Sequence, residues 1–469
     1  MTSHSKDDYG AKRSSSRKER AASIETRRPR TRALVLVPVL KRQGRAGEKG
    51  SKPALDSHTP ESRLAEAVGL ANAINLDIID SAIVPMSAPR PATLLGSGKV
   101  DELSQRVRDL EIGLVIIDHA VTPVQQRNLE KAWNTKVLDR TGLILEIFGE
   151  RARTREGVLQ VELAHLSYQK GRLVRAWTHL ERQRGGGGFL GGPGEAQIEL
   201  DRRMLQDRID AIKRELADVV KTRDLHRKGR RKVPYPIVAV VGYTNAGKST
   251  LFNKITGAGV VAMDQVFATL DPTMREVKLP SARRIILSDT VGFISDLPTM
   301  LVAAFRATLE EVVEADLILH VRDIAHEETD AQARDVEKVL GELGIDTLPV
   351  DSNILEVWNK IDLVSHDRRT ELQHEALRNA RPPVLVSAAT GEGIVPLLDA
   401  IDDRLSVADE ILEVIVPGSK GQLLNWLHET CDVLGRESRK DGSIDLRLRI
   451  PSEKKLRVLG QLRKAGLKV

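Results

Sequence analysis

The chain has 469 residues, 41% hydrophobic and 29% charged, with one cysteine and a formal net charge of +6. That length exceeds a single hydrophobic core, and the composition predicts about three folded, soluble units rather than a disordered chain. No apolar run approaches the roughly 18 residues of a membrane span, the lone Cys431 excludes an internal disulfide, and no Cys/His cluster has zinc-ligand spacing, so a cytoplasmic monomer without a membrane span is expected.

Residues 1–32 hold ten Lys/Arg against four Asp/Glu and carry the whole net charge, leaving the rest neutral overall. Rich in Ser and Arg, this segment reads as a disordered basic tail, solvated or touching RNA; Asp7, Asp8, Glu19 and Glu25 argue against a transit peptide. Over residues 33–145 short apolar runs alternate with helical patterns. Leu34–Leu40 and Leu114–Asp118 read as strands, and Arg63–Ile74 and Val100–Leu110 as helices, which predicts a small N-terminal α/β domain. Inside it, Leu95-Gly96-Ser97-Gly98-Lys99 reads as a tight turn opening a helix, because Val100 stands where a phosphate loop needs Ser or Thr.

Residues 146–232 change to a long helical hairpin. Leu159, Leu163, Leu166, Leu173, Trp177 and Leu180 form one seam, and Leu205, Ile209, Ile212, Leu216 and Val219 form the other, which predicts antiparallel pairing. The connection from Gly185 to Gly194 is too glycine-rich for a helix and carries Phe189-Leu190 at its tip. Arg151, Arg153 and Arg155 at one end, with Arg227, Lys228, Arg230, Arg231 and Lys232 at the other, form basic flanks; contact with RNA phosphates is the preferred reading and solvated charge the alternative. Residues 233–408 alternate strands and helices at the spacing of a parallel sheet. In the C-terminal α/β module, residues 409–469, Ile411–Val416 and Ser443–Ile450 read as strands, Ser419–Leu434 and Ser452–Ala465 as helices, and Asp441-Gly442 as a turn.

The chemistry lies in residues 233–408. Gly242-Tyr243-Thr244-Asn245-Ala246-Gly247-Lys248-Ser249, followed by Thr250, matches the P-loop pattern between the strand Ile237–Val241 and a helix from Ser249 to Ile255. Its backbone N–H groups would wrap phosphates at a helix N-terminus, Lys248 would reach the β- and γ-phosphates, and the Ser249 hydroxyl would bind Mg²⁺. Asp289-Thr290-Val291-Gly292 ends the strand Arg284–Ser288, placing Asp289 to reach the metal through water and the Gly292 N–H to sense the γ-phosphate. In Phe267-Ala268-Thr269-Leu270-Asp271, Thr269 is the preferred second Mg²⁺ hydroxyl, with Thr273 its rival. Lys248, Thr269 and Gly292 are the expected catalytic groups.

Asn359-Lys360-Ile361-Asp362, after the strand Ile354–Trp358, selects guanine: the Asp362 carboxylate accepts from N1 and the exocyclic amine, and adenine cannot supply that pair. Asn359 would brace the loops, the Lys360 stem would cover the base, and in Ser387-Ala388-Ala389 the Ala388 N–H would aim at O6. GTP as substrate and GDP as product follow. Phe293 stands where many GTPases carry a glutamine that positions water, so slow hydrolysis accelerated by a partner is expected.

With these motifs in order, the chain resembles the HflX family of ribosome-associated GTPases, related to the Obg group, from about Ala33 onward. The resemblance rests on Phe267 to Thr273, Asp289 to Phe293, Asp118-His119 with Thr122-Pro123, Arg151 to Arg155 with Leu159 to Leu163, and Gly192-Pro193-Gly194-Glu195, with Ala196 departing from the family's usual Thr. It implies binding to the large ribosomal subunit, with the N-terminal domain and glycine loop reaching toward its catalytic region, and splitting or rescue of stalled ribosomes under stress. Two alternatives are a non-enzymatic nucleotide switch on an RNA-binding scaffold and a GTPase acting in RNA modification or processing. The absence of a second catalytic cysteine or His cluster, and of an amphipathic membrane helix, argues against RNA-modifying or membrane-linked GTPases.

Overall fold

The computed structural model describes residues 30–40, 58–74, 76–183, 193–230, 235–257, 267, 273–297, 306–345, 353–406, 410–439, 442–450 and 455–467. Most of the basic tail, the Phe189-Leu190 tip, Arg231, Lys232, Asp441 and the run Ala268, Thr269, Leu270, Asp271 lie outside the described residues.

The N-terminal domain is built from β1 (Arg32–Leu40), α1 (Pro60–Asn72), β2 (Asp77–Met86), α2 (Ser97–Asp109), β3 (Leu114–Ile117), α3 (Pro123–Trp133), β4 (Lys136–Asp139) and α4 (Arg140–Arg151). Its four strands form a parallel sheet of order β2-β1-β3-β4. Parallel strands need both faces covered, and β1 shows how: Ala33, Val35 and Val37 pack with α1 and α4, while Leu34 and Leu36 pack with α2 and α3. The expected glycine turn opens α2 at Gly96, which supplies no side-chain cap. Thr122 caps α3 in a reciprocal capping box with Gln125, and Pro123 sits in the first turn, where its missing N–H costs no helical bond. The β2 edge strand interrupts its apolar residues with Asp77, Asp80 and Ser81 and so shows no clean alternation.

The hairpin follows as α5 (Arg155–Gln183) and α6 (Pro193–Arg230). Antiparallel pairing is seen in the ion pairs Arg208 to Glu162 at 2.7 Å and Arg155 to Glu215 at 3.9 Å, and in the hydrogen bond from Lys170 to Gln206. Leu159, Ile209 and Ile212 are buried. Besides this seam, α5 buries Val161 and Ala164 in the core of the N-terminal domain.

The third unit contains β5 (Ile237–Gly242), α7 (Lys248–Thr256), β6 (Thr273–Lys278), β7 (Arg284–Asp289), α8 (Arg306–Val313), β8 (Leu317–Asp323), α9 (Thr329–Glu342), β9 (Ile354–Asn359), α10 (His366–Arg378), β10 (Val384–Leu385) and α11 (Ile394–Ser406). Sheet order is β10-β9-β8-β5-β7-β6, parallel except for the antiparallel edge pair β6 and β7. Chain order reverses at β5, the position at which open α/β sheets leave a crevice beyond the strand ends. One sheet face packs against α7 and α11. The other shares one core with the N-terminal domain, so that Phe148, Tyr243, Phe293, Leu309 and Val336 belong to the same cluster.

The last module has β11 (Glu410–Pro417), α12 (Gly421–Thr430), β12 (Asp432–Ser438), β13 (Ser443–Ile450) and α13 (Lys455–Lys464), with antiparallel order β11-β13-β12. The expected helix Ser419–Leu434 is corrected: it ends at Thr430, and the following residues form β12, whose Gly435 and register shift belong to a bulged edge strand. Among the described residues no helix is long and apolar enough to cross a membrane.

Candidate functional site

The strand β5 is a continuous apolar run buried between sheet neighbours, and it delivers Gly242 to the crevice. The loop then turns through Asn245 at φ 61° and Gly247 at φ 90° into α7. No side chain caps α7, so its first-turn N–H groups point at the loop as donors suited to an anion. Gly247 is required for more than its backbone angle: a Cβ there would lie 2.3 Å from Asn359 Nδ2.

Lys248 is buried and donates from Nζ to the Tyr243 carbonyl at 2.6 Å. Burial pushes its pKa down to about 8, against the attraction of Asp289 and with some repulsion from Lys360. Ser249 Oγ donates to Asp289 Oδ2 at 2.7 Å, which brings a hydroxyl and a carboxylate oxygen together beside the loop. Among the described residues no group of three or more His, Cys, Asp or Glu could hold a metal.

The segment after Asp289 is stitched to the loop. Thr290 Oγ1 donates to the Val240 carbonyl at 2.6 Å, the Phe293 N–H to the Gly242 carbonyl at 3.1 Å, and the Thr244 N–H to the Phe293 carbonyl at 2.7 Å. Gly292 is held so close that a Cβ would meet Lys248 Nζ and Thr244 Cγ2, each at 2.9 Å. Phe293 is 1% exposed and belongs to the shared core, in one cluster with Tyr243 and Phe148. Thr273 opens β6 opposite Asp289, whereas its rival Thr269 is outside the described residues. Phe267 is buried and meets the Phe148 ring edge-on, centroids 4.9 Å apart.

At the other end of the crevice Asn359 is 1% exposed. Its Nδ2 donates to the Ala246 carbonyl at 2.8 Å, and its Oδ1 accepts from the Ala388 N–H at 3.0 Å. The Ala388 N–H, expected to aim at a base oxygen, here donates to the side chain that braces the two loops. Lys360 takes φ 67° and ion-pairs with Asp323 at 2.7 Å, and Asp362 sits exposed in the short 3-10 turn Ile361–Leu363. Ser387 is fully buried, and its Oγ accepts from the Thr390 N–H at 3.1 Å, shaping the loop that presents Ala388 and Ala389. The three separated strings thus meet around one crevice.

Charged residues of the N-terminal domain that sequence reasoning passed over also reach this site. Glu66 accepts from Tyr243 and Ser295, and Arg140 donates to Ser295. The neighbouring Asp139 instead ties the domain to α5, accepting from Tyr168 at 2.6 Å and Arg172 at 3.1 Å. No local pattern marks Glu66 or Arg140, since each meets its partners in a segment far along the chain.

Family models match the chain in four stretches: "GTP-binding GTPase N-terminal" over residues 61–149, "GTP-binding GTPase Middle Region" over 151–230, "50S ribosome-binding GTPase" over 237–360 and "HflX C-terminal domain" over 373–466. A protein named GTPase HflX from Magnetococcus marinus is 50% identical over 383 residues, covering 82% of this chain and 87% of that one. The GTPase HflX of Escherichia coli is 44% identical over 391 residues, covering 83% and 89%. Among solved structures, a GTP-binding protein from the hyperthermophilic archaeon Sulfolobus solfataricus in complex with GDP aligns at TM-score 0.41 and 23% identity, covering 80% of this chain and 98% of that one.

Proposed function

The chain belongs to the HflX family of GTPases, and from that premise we propose that it hydrolyses GTP in the crevice beyond β5, slowly alone and faster on the large ribosomal subunit, acting in the cytoplasm to split or rescue stalled ribosomes. The phosphates lie in the loop Gly242 to Ser249, where the α7 N-terminus and Lys248 take their charge. Ser249 and a hydroxyl from Thr269 would hold Mg²⁺, with Asp289 reaching it through water; the ion when bound offsets charge on the phosphate oxygens. Gly292 supplies a backbone N–H to the γ-phosphate, close packing at that position leaving room for hydrogen alone. Asp362 reads the guanine edge, with Asn359 holding the two loops together from below.

The observation that carries partner activation is the burial of Phe293. A phenyl ring turned into the core orients no water, so the isolated chain lacks the polar group that many GTPases place there. The partner reading is supported by the ribosome-binding family match over residues 237–360 and by the basic hairpin ends.

The test is GTP turnover and cosedimentation with purified ribosomal subunits, using wild type and Lys248→Ala. Wild type is expected to cosediment with the large subunit and turn over faster in its presence, and Lys248→Ala to lose turnover in both conditions. Neither stimulation nor cosedimentation would remove the ribosome reading and leave the nucleotide site standing.

A further inference from the structure

A buried polar chain runs from the N-terminal domain to the segment after Gly292. Tyr243 Oη donates to Glu66 Oε2 at 2.9 Å and accepts from the Ser295 N–H at 2.8 Å. Ser295 Oγ donates to the same Glu66 oxygen at 2.9 Å. Arg140 closes the circuit, donating from Nη2 to Glu66 Oε1 at 2.7 Å and to the Ser295 carbonyl at 2.8 Å, and from Nη1 to Asp118.

The groups keep these donor and acceptor roles. Burial disfavours the Arg140 charge, but Glu66 and Asp118 outweigh it and hold its pKa above the ordinary value. Burial, then the Glu66 charge, push the Tyr243 phenol up, so it remains a donor. A buried circuit of this kind, with every member hydrogen-bonded, has one well-defined geometry, since each displaced partner would leave a charge or dipole unpaired.

We propose that Glu66 and Arg140 are positioning residues for GTP hydrolysis. They hold Ser295 against Tyr243, and through the short link 292–295 they keep the Gly292 backbone against Lys248. Neither touches nucleotide in the reading above; they act through Ser295. Placement matters more here than in a GTPase with a water-orienting glutamine, because Phe293 leaves catalysis to backbone and lysine geometry, and an error of about 1 Å can cost about a hundredfold.

The test uses the full chain and measures kcat, KM for GTP and affinity for fluorescent GDP separately, alongside thermal unfolding. Ser295→Ala removes one arm of the circuit and leaves Arg140 paired with both carboxylates. Glu66→Gln puts an amide donor where two donors and a cation now converge. Each is expected to lower kcat about tenfold or more, with KM and GDP affinity within about twofold of wild type. Ser295→Thr, which keeps the hydroxyl, is expected to recover most of the loss, and Glu66→Gln with Ser295→Ala to fall short of the product of the single effects. If Glu66→Gln does not fold, the Ala and Thr pair at Ser295 decides alone. Unchanged kcat in folded variants overturns the proposal, and so does a parallel fall of kcat, GDP affinity and thermal midpoint, the pattern of mere structural damage. The inference rests on hydrolysis at this site, and the two fail differently: wild type without turnover sinks that reading, whereas active wild type with insensitive variants sinks this one alone.

Discussion

Replacing Asn359 with Ala isolates the brace between the phosphate loop and the base loop. The side chain is 1% exposed and makes two bonds, to the Ala246 carbonyl at 2.8 Å and from the Ala388 N–H at 3.0 Å. Both backbone groups belong to buried residues. An unsatisfied buried donor or acceptor costs about 1–3 kcal/mol; taking about 1 kcal/mol for each, because a loosened loop readmits some water, the loss is about 2 kcal/mol. If the loops must be in place to hold nucleotide, this appears in the dissociation constant as about a 30-fold weakening. The assay is titration with fluorescent GDP, with thermal unfolding of the nucleotide-free protein as control. Asn359→Asp is expected to do no better, since it keeps an acceptor for Ala388 but turns a second acceptor on the Ala246 carbonyl. GDP affinity within about threefold of wild type in a normally folded Asn359→Ala protein would refute the reasoning, because the brace would then be local packing only.

Phe293→Gln, the substitution that restores the residue many GTPases carry, is expected to fail as a gain of function: it removes a 1%-exposed ring from the shared core and buries an amide, a loss of about 3–5 kcal/mol seen as a lower thermal midpoint. Faster turnover at an unchanged midpoint would contradict that. His58 joins the N-terminal domain to Glu328 and Asp335 at 2.7 and 2.8 Å. Its hydrogen bond to Asp335 first, against burial and with help from Glu328, raises its pKa from 6.5 to about 9. A raised folded-state pKa gives stability that is full below about pH 6.5 and lost as pH climbs through 9, so the stability difference between wild type and His58→Gln is expected to shrink across that window. Comparing the two proteins isolates His58, since the depressed Lys248 pKa tilts both curves alike; a constant difference would refute the assignment. Asp362→Asn exchanges an acceptor for a donor at the exposed turn Ile361–Leu363 and is expected to shift preference from guanine toward xanthine nucleotides, checked by competition between GDP and xanthosine diphosphate; unchanged guanine preference would exclude Asp362 as the base reader.

Much of the site was legible because its signals are local. A phosphate loop needs glycine, lysine and serine within eight consecutive residues, and the strand-to-helix setting around Gly242 is written in the same stretch. The apolar runs of β1, β5, β8 and β9 likewise announce parallel strands, because both their faces are buried. Strands β2 and β12 were not legible. Each is an edge strand with polar residues and a register shift, so its strand character comes from a neighbour distant in sequence rather than from its own pattern.

The sequence by itself determined the nucleotide chemistry, the α/β class and the antiparallel hairpin, since these depend on residue type and short-range spacing. Only the tertiary structure decided that Phe293 is a core residue, that the Ala388 N–H is taken by Asn359, and that Glu66 and Arg140 reach Ser295. The physical reason is that a charge acquires a role from its partner and its desolvation. Arg140 finds its carbonyl 155 residues away, and no periodicity records a contact of that range.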